Sequence, residues 1–292
     1  MLREQERRGL PVMTSRPPWH GHDAAVEDLL RSAATLPEAG WRVAWCAGAG
    51  VVGARQADLD AEVRVVEDFL RRWEPRPTRG PRTIFLASSA GGVYAGSTDP
   101  PFTESTTPRP LAPYGHAKLR IEELFLEHAR RFDVGLLVGR LSNLYGPGQD
   151  LDKQQGLVSL LCKALVTRVE LSIYMPLDTL RDYLYVDDAA AMVSRGLDEV
   201  EASGGVHCKV LASGSPMSIS EILGELTRIS RRRPPVVMGP SPAARFQVRD
   251  LRLRSSAWPD LDHLVRTPVG VGMANCLTEV RTTLRRATKG ES

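Results

Sequence analysis

The chain has 292 residues, 42% of them hydrophobic and 25% charged, ordinary values for a globular protein that point away from a wholly disordered chain and leave room for one large α/β domain or a domain with a smaller lobe. Lys plus Arg number 38 against 35 Asp plus Glu, a net charge of +3 with the signs interspersed, so a nucleic-acid surface with its single-sign excess is not expected. Four cysteines stand far apart with no CxxC pair, and no stretch reaches the ~20 apolar residues of a membrane helix, so the expectation is a cytoplasmic chain with reduced thiols, no metal centre and no membrane segment.

Residues 1–8 read as the end of a helix closed by Gly9. A short strand is predicted from Leu10 to Thr14, stopped by Pro17-Pro18, followed by a helix over 24–36. Residues 41–46 read as a strand entering a glycine-rich turn. Leu59, Val63, Val66, Leu70 and Trp73 recur at spacings of three and four, which predicts an amphipathic helix over 57–73. Thr83 to Ala87 is a strand of the fully buried type. A long loop over 88–112 separates it from the next helix, and loops of that length inside a compact domain are usually functional. Beyond a strand at 134–139 the elements shorten and prolines interrupt them, although Ser218-Ile-Ser-Glu221 fits a capping box that opens a helix. The alternation of helix and strand argues for a layered α/β fold with a mainly parallel sheet.

Gly48-Ala-Gly50-Val-Val-Gly53 satisfies the dinucleotide pattern G-x-G-x-x-G between a strand and a helix. That pattern wants an acidic residue at the end of the next strand, where this chain has Ala87-Ser88-Ser89. A second reading accounts for more of the sequence. The chain enters a Rossmann domain inside its first helix, the first strand and its phosphate loop lie upstream, and Gly48 borders the cofactor at a later strand end. A purely structural glycine turn is the third reading.

Tyr114-Gly-His-Ala-Lys118 is a Y-x-x-x-K motif. On a helix its two ends share a face, so the ammonium can favour the phenolate, and Tyr114 can exchange a proton with a hydroxyl or carbonyl while a hydride moves to or from a nicotinamide. Alone the motif is weak. Histidines offer no candidate base or ligand.

The motif has company. Phe85-Leu-Ala-Ser88-Ser89-Ala-Gly-Gly-Val93-Tyr94 and Phe102-Thr-Glu104 precede it, and Arg140-Leu-Ser-Asn143-Leu-Tyr145-Gly146-Pro147 and Arg181-Asp182-Tyr183-Leu-Tyr185-Val-Asp187-Asp188 follow. In this order and spacing the chain resembles the extended short-chain dehydrogenase/reductase family, the nucleotide-sugar epimerases and dehydratases, over roughly residues 10 to 285. The spacing from Gly48 to Tyr114 also suits that family's later glycine turn, in keeping with the upstream-loop reading.

The resemblance implies a Rossmann-like parallel sheet flanked by helices with a smaller C-terminal substrate lobe. Residues 1–141 would form the N-terminally incomplete dinucleotide domain and 142–292 mainly the substrate lobe, with about 181–212 packing back on the sheet. It implies that Tyr114 is the acid/base and that Lys118 holds the nicotinamide ribose. The position four before Tyr94 is Ala90, where the family carries Ser or Thr, so Ser89 takes the role of bonding the reacting oxygen, with Ser88 as the fallback for that role and a contact on the substrate side. Asn143 and Arg181 match positions that hold the nucleotide diphosphate, an amide donor and a guanidinium suited to phosphate oxygens, and Gln247 and Asp250 fall in a nucleotide-contacting segment. A turn residue at Asn143, and an ion pair of Arg181 with Asp182 or Asp187, stay open. Ala47 and Gly48 match the turn flanking the cofactor. Asp28-Leu29 resembles the adenine-side pair or is plain helix surface, and Arg16 is either a partner for the 2′-phosphate of NADP or a surface residue.

The implied activity is NAD- or NADP-dependent epimerisation or dehydration of a nucleotide-diphosphate sugar through a keto intermediate. The alternatives are an NADPH-dependent ketoreductase of a keto-sugar nucleotide and a non-catalytic family member with impaired cofactor binding. A homodimer formed through the helices at 57–73 and 113–132 is implied as well.

Overall fold

In a computed structural model the described residues are 1–19, 21–48, 54–151, 155–239 and 248–289, with side chains described up to 286. Four strands, β1 (Trp41–Trp45), β2 (Arg82–Ser89), β3 (Gly135–Leu141) and β8 (Val206–Leu211), form one parallel sheet in that order. The register pairs Val43 with Ile84, Phe85 with Leu137 and Leu137 with His207.

The period of two along these strands divides the core. Ile84, Leu86, Leu136 and Val138 face one side, where helices α2 (His22–Ala34), α3 (Gln56–Arg72) and α5 (Pro113–Phe132) bury Val26, Leu29, Val66, Phe69, Ile121 and Phe125. Phe85, Leu137 and Leu211 face the other, against Met192, Val193 and Leu197 of helix α7 (Val186–Ser203). Helices on both faces explain why β2 is a continuous apolar run without alternation.

Local signals set the helix ends. Pro113 opens α5 at a position where no N–H is needed, and Asp133 closes it in the left-handed region at φ 50°. The box at Ser218 and Glu221 forms as expected and starts helix α8 (Ile219–Ser230). The first helix, α1 (Leu2–Arg7), lies on α7, with Arg8 bonding Asp198 and Arg3 pairing with Asp187 at 3.3 Å.

The remaining elements are short, as the prolines suggested. A turn of helix, α4 (Ala90–Val93), follows β2 within the long loop. Strand β4 (Asn143–Tyr145) pairs with β7 (Tyr183–Tyr185), while β6 (Leu180–Arg181) lies between β9 (Met217–Ser218) and β11 (Asp250–Leu251). Strand β5 (Leu171–Ile173) pairs with β10 (Val236–Met238). Helices α6 (Leu157–Thr167), α8 and α9 (Val269–Lys289) share a second core with Tyr145, Tyr183 and Tyr185. No helix among the described residues is long and apolar enough to cross a membrane.

One expected element is corrected. Leu10 to Thr14 is not a strand: Leu10, Val12 and Met13 are 39%, 40% and 69% exposed. Pro11 lacks the N–H a ladder would use, and the apolar side chains find no sheet to bury them.

Candidate active site

The site is built at the carboxyl ends of β1 and β2, where ligands sit in open α/β sheets. Tyr114 and Lys118 stand one turn apart on the buried face of α5, 8% and 9% exposed. The ammonium Nζ is 5.7 Å from the centre of the Tyr114 ring.

Glycines bring the surrounding backbone close. A methyl at Gly92 would come within 3.0 Å of Tyr114 Cε1, and one at Gly115 within 2.1 Å of the Gly92 carbonyl oxygen. The α4 turn therefore rests directly on the start of α5 and walls one side of the phenol. Gly48, just past β1, has φ 140°, a backbone state that disfavours any side chain. A Cβ there would lie 2.7 Å from Glu62 Oε1 and 3.2 Å from Lys118 Nζ. Ala47 packs partly buried against the core beside it. Gly50 and Gly53 of the literal fingerprint lie outside the described residues.

The two serines have different surroundings. Ser89 Oγ accepts the Gly92 N–H at 3.1 Å as the cap of α4, which leaves its own hydrogen to donate. Ser88 Oγ instead donates to Glu122, inside a buried network. There Arg140 grips the Glu122 carboxylate at 2.7 Å and donates to the Tyr94 hydroxyl at 2.8 Å, which in turn donates to the Thr103 carbonyl. Burial works against the Arg140 charge, but the Glu122 hydrogen bonds and charge outweigh it and hold the group above its ordinary value. Burial likewise pushes the Tyr94 phenol up to about 12. Ser88 is thus a structural donor, a correction to its placement on the substrate side.

On the C-terminal side Asn143 reaches the residue after Arg181, and Asp250 lies on the strand beside Arg181. Asn143 donates through both its backbone N–H and its side-chain amide to the Asp182 carbonyl. The neighbouring Arg181 is 7% exposed, and its strand runs beside Asp250–Leu251 of β11. Burial pushes the Arg181 guanidinium down, and the nearby Tyr183 and Asp250 charges oppose that. Asp250 itself bonds Arg252 at 2.9 Å. Asp182 accepts from Ser213, and Asp187 is the partner of Arg3. Leu251 packs with Ala90 and Val93 in one apolar cluster, which links this neighbourhood to the α4 wall. Gln247 lies outside the described residues.

The adenine-side candidates divide. Ser15 Oγ donates to Asp28 at 2.9 Å, so the exposed segment carrying Arg16 lies against α2, and Asp28 also pairs with Arg31. Leu29 is 7% exposed and faces the core between α2 and the sheet. That burial corrects its expected role as a cofactor contact, because the periodicity of α2 turns it inward.

One residue that sequence reasoning missed is Glu62. It lies on the buried face of α3 with Leu59, Val66 and Phe69, 3.8 Å from Lys118. The available signal was a carboxylate at a core-facing position of an amphipathic helix, where charge is unusual unless paired.

A model of the NAD-dependent epimerase/dehydratase family matches residues 42–208. A dTDP-4-dehydro-6-deoxyglucose reductase of Escherichia coli is 28% identical over 144 residues, 49% of this chain and 44% of that protein. The chain spans less than half the length of the curated relatives it matches first. Among solved structures, the UDP-glucose 4-epimerase of Thermotoga maritima with UDP-glucose superposes with a TM-score of 0.78 at 21% identity, covering 97% of this chain and 94% of that one. MoeE5 in complex with UDP-glucose and NAD superposes at 0.74 with 25% identity and the same coverage.

Proposed function

The chain belongs to the NAD-dependent epimerase/dehydratase family, and on that premise we propose that it epimerises or dehydrates a nucleotide-diphosphate sugar through a keto intermediate, with NAD or NADP as its cofactor. The observation that carries this reading is the Tyr114–Lys118 pair, stacked on one buried helix face.

The residues at the β1 end suit a dinucleotide. Gly48 keeps free a space that a Cβ would fill, and an ammonium and a carboxylate border it. Gly48, Ala47 and Lys118 would hold the nicotinamide end. When bound, the nicotinamide supplies a reversible hydride acceptor. Tyr114 takes the proton of a sugar hydroxyl at its Oη and returns it, with the Lys118 ammonium over its ring. Ser89 keeps a hydroxyl hydrogen for the same sugar oxygen. Asn143, Arg181 and Asp250 form the proposed nucleotide-diphosphate side, where the buried guanidinium binds phosphate oxygens.

The reading further includes a dinucleotide-binding part over 1–141 and a mainly substrate-binding part over 142–292. It includes a cytoplasmic location, supported by four free thiols, and a homodimer through α3 and α5, which lie side by side on one face of the sheet. The name of the Escherichia coli relative favours one second reading, a net ketoreductase that uses the same residues.

The test is to incubate the purified chain with UDP-glucose or dTDP-glucose and NAD, and the 4-keto-6-deoxy product with NADPH. An epimerase or dehydratase converts many equivalents of sugar per cofactor, whereas a reductase consumes NADPH one for one. Absence of both NAD(H) and NADP(H) binding by the chain would refute the proposal.

A further inference from the structure

Glu62 has a position that the core does not require. Its carboxylate is on the buried face of α3, 8% exposed, among positions otherwise filled by Leu59, Val65, Val66 and Phe69. A buried charge is costly unless compensated. Its oxygen lies 3.8 Å from Lys118 Nζ. At that separation the two charges attract without sharing a hydrogen bond, and the gap is one that hydroxyl oxygens can bridge. Both groups border the Gly48 turn, where a Cβ would come within 2.7 Å of Glu62 Oε1 and 3.2 Å of Lys118 Nζ. The same ammonium sits over the Tyr114 ring.

A carboxylate can only accept hydrogen bonds and an ammonium can only donate them. Side by side at a strand's carboxyl end, they complement a vicinal diol, whose hydroxyls do both. We propose that Glu62 is a further cofactor-contact residue: with Lys118 it clamps the diol of the ribose nearer the reacting end of the dinucleotide. The inference rests on the dinucleotide reading above and adds the acceptor half of the clamp. It assigns the diol to the second ribose, because the clamp adjoins Tyr114 and not the α2 segment with Asp28.

ADP carries only the adenosine ribose, whereas ADP-ribose carries both and needs no turnover to be read. Calorimetric titration of the wild-type chain with each is the first arm, with ADP-ribose expected to bind at least about tenfold tighter. Glu62→Gln keeps the shape and removes the charge. It should weaken ADP-ribose by roughly ten- to a hundredfold, the range for a hydrogen bond to a charged group, and leave ADP within about twofold. Glu62→Asp, which keeps the charge, should recover part of the loss and gives a second variant should Glu62→Gln misfold by circular dichroism.

Equal ADP-ribose affinity in wild type and Glu62→Gln would overturn the clamp and leave the dinucleotide reading standing. So would equal losses for both ligands, or a wild type that binds ADP as tightly as ADP-ribose. A wild type that binds neither ADP-ribose nor NADH would overturn the dinucleotide reading and the clamp together.

Discussion

The buried pair Arg140–Glu122 allows a quantitative test of how the site is held. Glu122 is on α5 one turn beyond Lys118, and both side chains of the pair are 11% exposed. The guanidinium reaches the carboxylate through Nη2 at 2.7 Å and Nε at 3.2 Å, and the Tyr94 hydroxyl through Nη1 at 2.8 Å. Replacing Glu122 by Met or Arg140 by Met leaves the other charge buried without its partner, at about 3–5 kcal/mol. At about 2–4 °C per kcal/mol for a domain of this size class, the melting temperature should fall by roughly 6–20 °C. The double change Glu122→Met with Arg140→Met removes both charges, so its melting temperature should lie nearer wild type than either single variant. Differential scanning calorimetry at fixed pH and protein concentration measures all four proteins. Single variants within about 2 °C of wild type, or a double variant that loses the sum of the singles, would show that the pair is hydrated and contributes little.

Tyr114→Phe should lower turnover at least about a hundredfold and leave ADP-ribose affinity unchanged, and full turnover would remove the catalytic assignment. Gly92→Ala places a methyl 3.0 Å from Tyr114 Cε1 and should reduce kcat by about tenfold, as expected for a displaced catalytic group, with UDP affinity retained. Arg181→Ala should weaken UDP binding by calorimetry roughly ten- to a hundredfold, and an unchanged Kd would remove Arg181 from the diphosphate side. His128 is 4% exposed, between the rings of Trp73 and Phe132 with Nδ1 3.2 Å from the Leu70 carbonyl, and burial pushes it down from 6.5 to about 4. Its folded value lies below its unfolded one, so the neutral ring's contribution is complete above pH 6.5 and is lost as pH falls toward 4. Thermal melts of wild type and His128→Phe at pH 7.5 and 5 should therefore differ in slope, with the variant losing less on acidification.

Much of this arrangement was legible in the sequence because periodicity and motif spacing are local. The apolar run at Ile84–Leu86, the amphipathic face of α3, the capping box at Ser218 and the helical pair Tyr114–Lys118 all follow from neighbours within one or two turns. What failed depended on partners far along the chain. Leu10 to Met13 has the composition of a strand, yet no neighbouring strand covers it, and it stays exposed. Ser88 and Ser89 are adjacent and similar, but the strand pleat sends Ser88 toward Glu122 on α5 and leaves Ser89 to cap α4. Leu29 and Asp28 read as a pair, although α2 turns one to the core and the other to Arg31 and Ser15.

The same distinction accounts for Glu62 and Gly48. Each alone is ordinary, a charged helix residue and a turn glycine. They become informative only when the β1 crossover brings α3 back beside α5, so that the glycine's missing side chain, the carboxylate and Lys118 share one space. A Gly48→Ala chain tests that coupling without touching either charge. Its methyl would fall 2.7 Å from Glu62 Oε1, and its φ of 140° disfavours any side chain. Cofactor affinity should therefore drop about as far as in Glu62→Gln, and combining the two changes should cost less than the sum of both, because one space can be spoiled only once. Additive losses in that cycle would show that the turn and the carboxylate act on separate parts of the ligand.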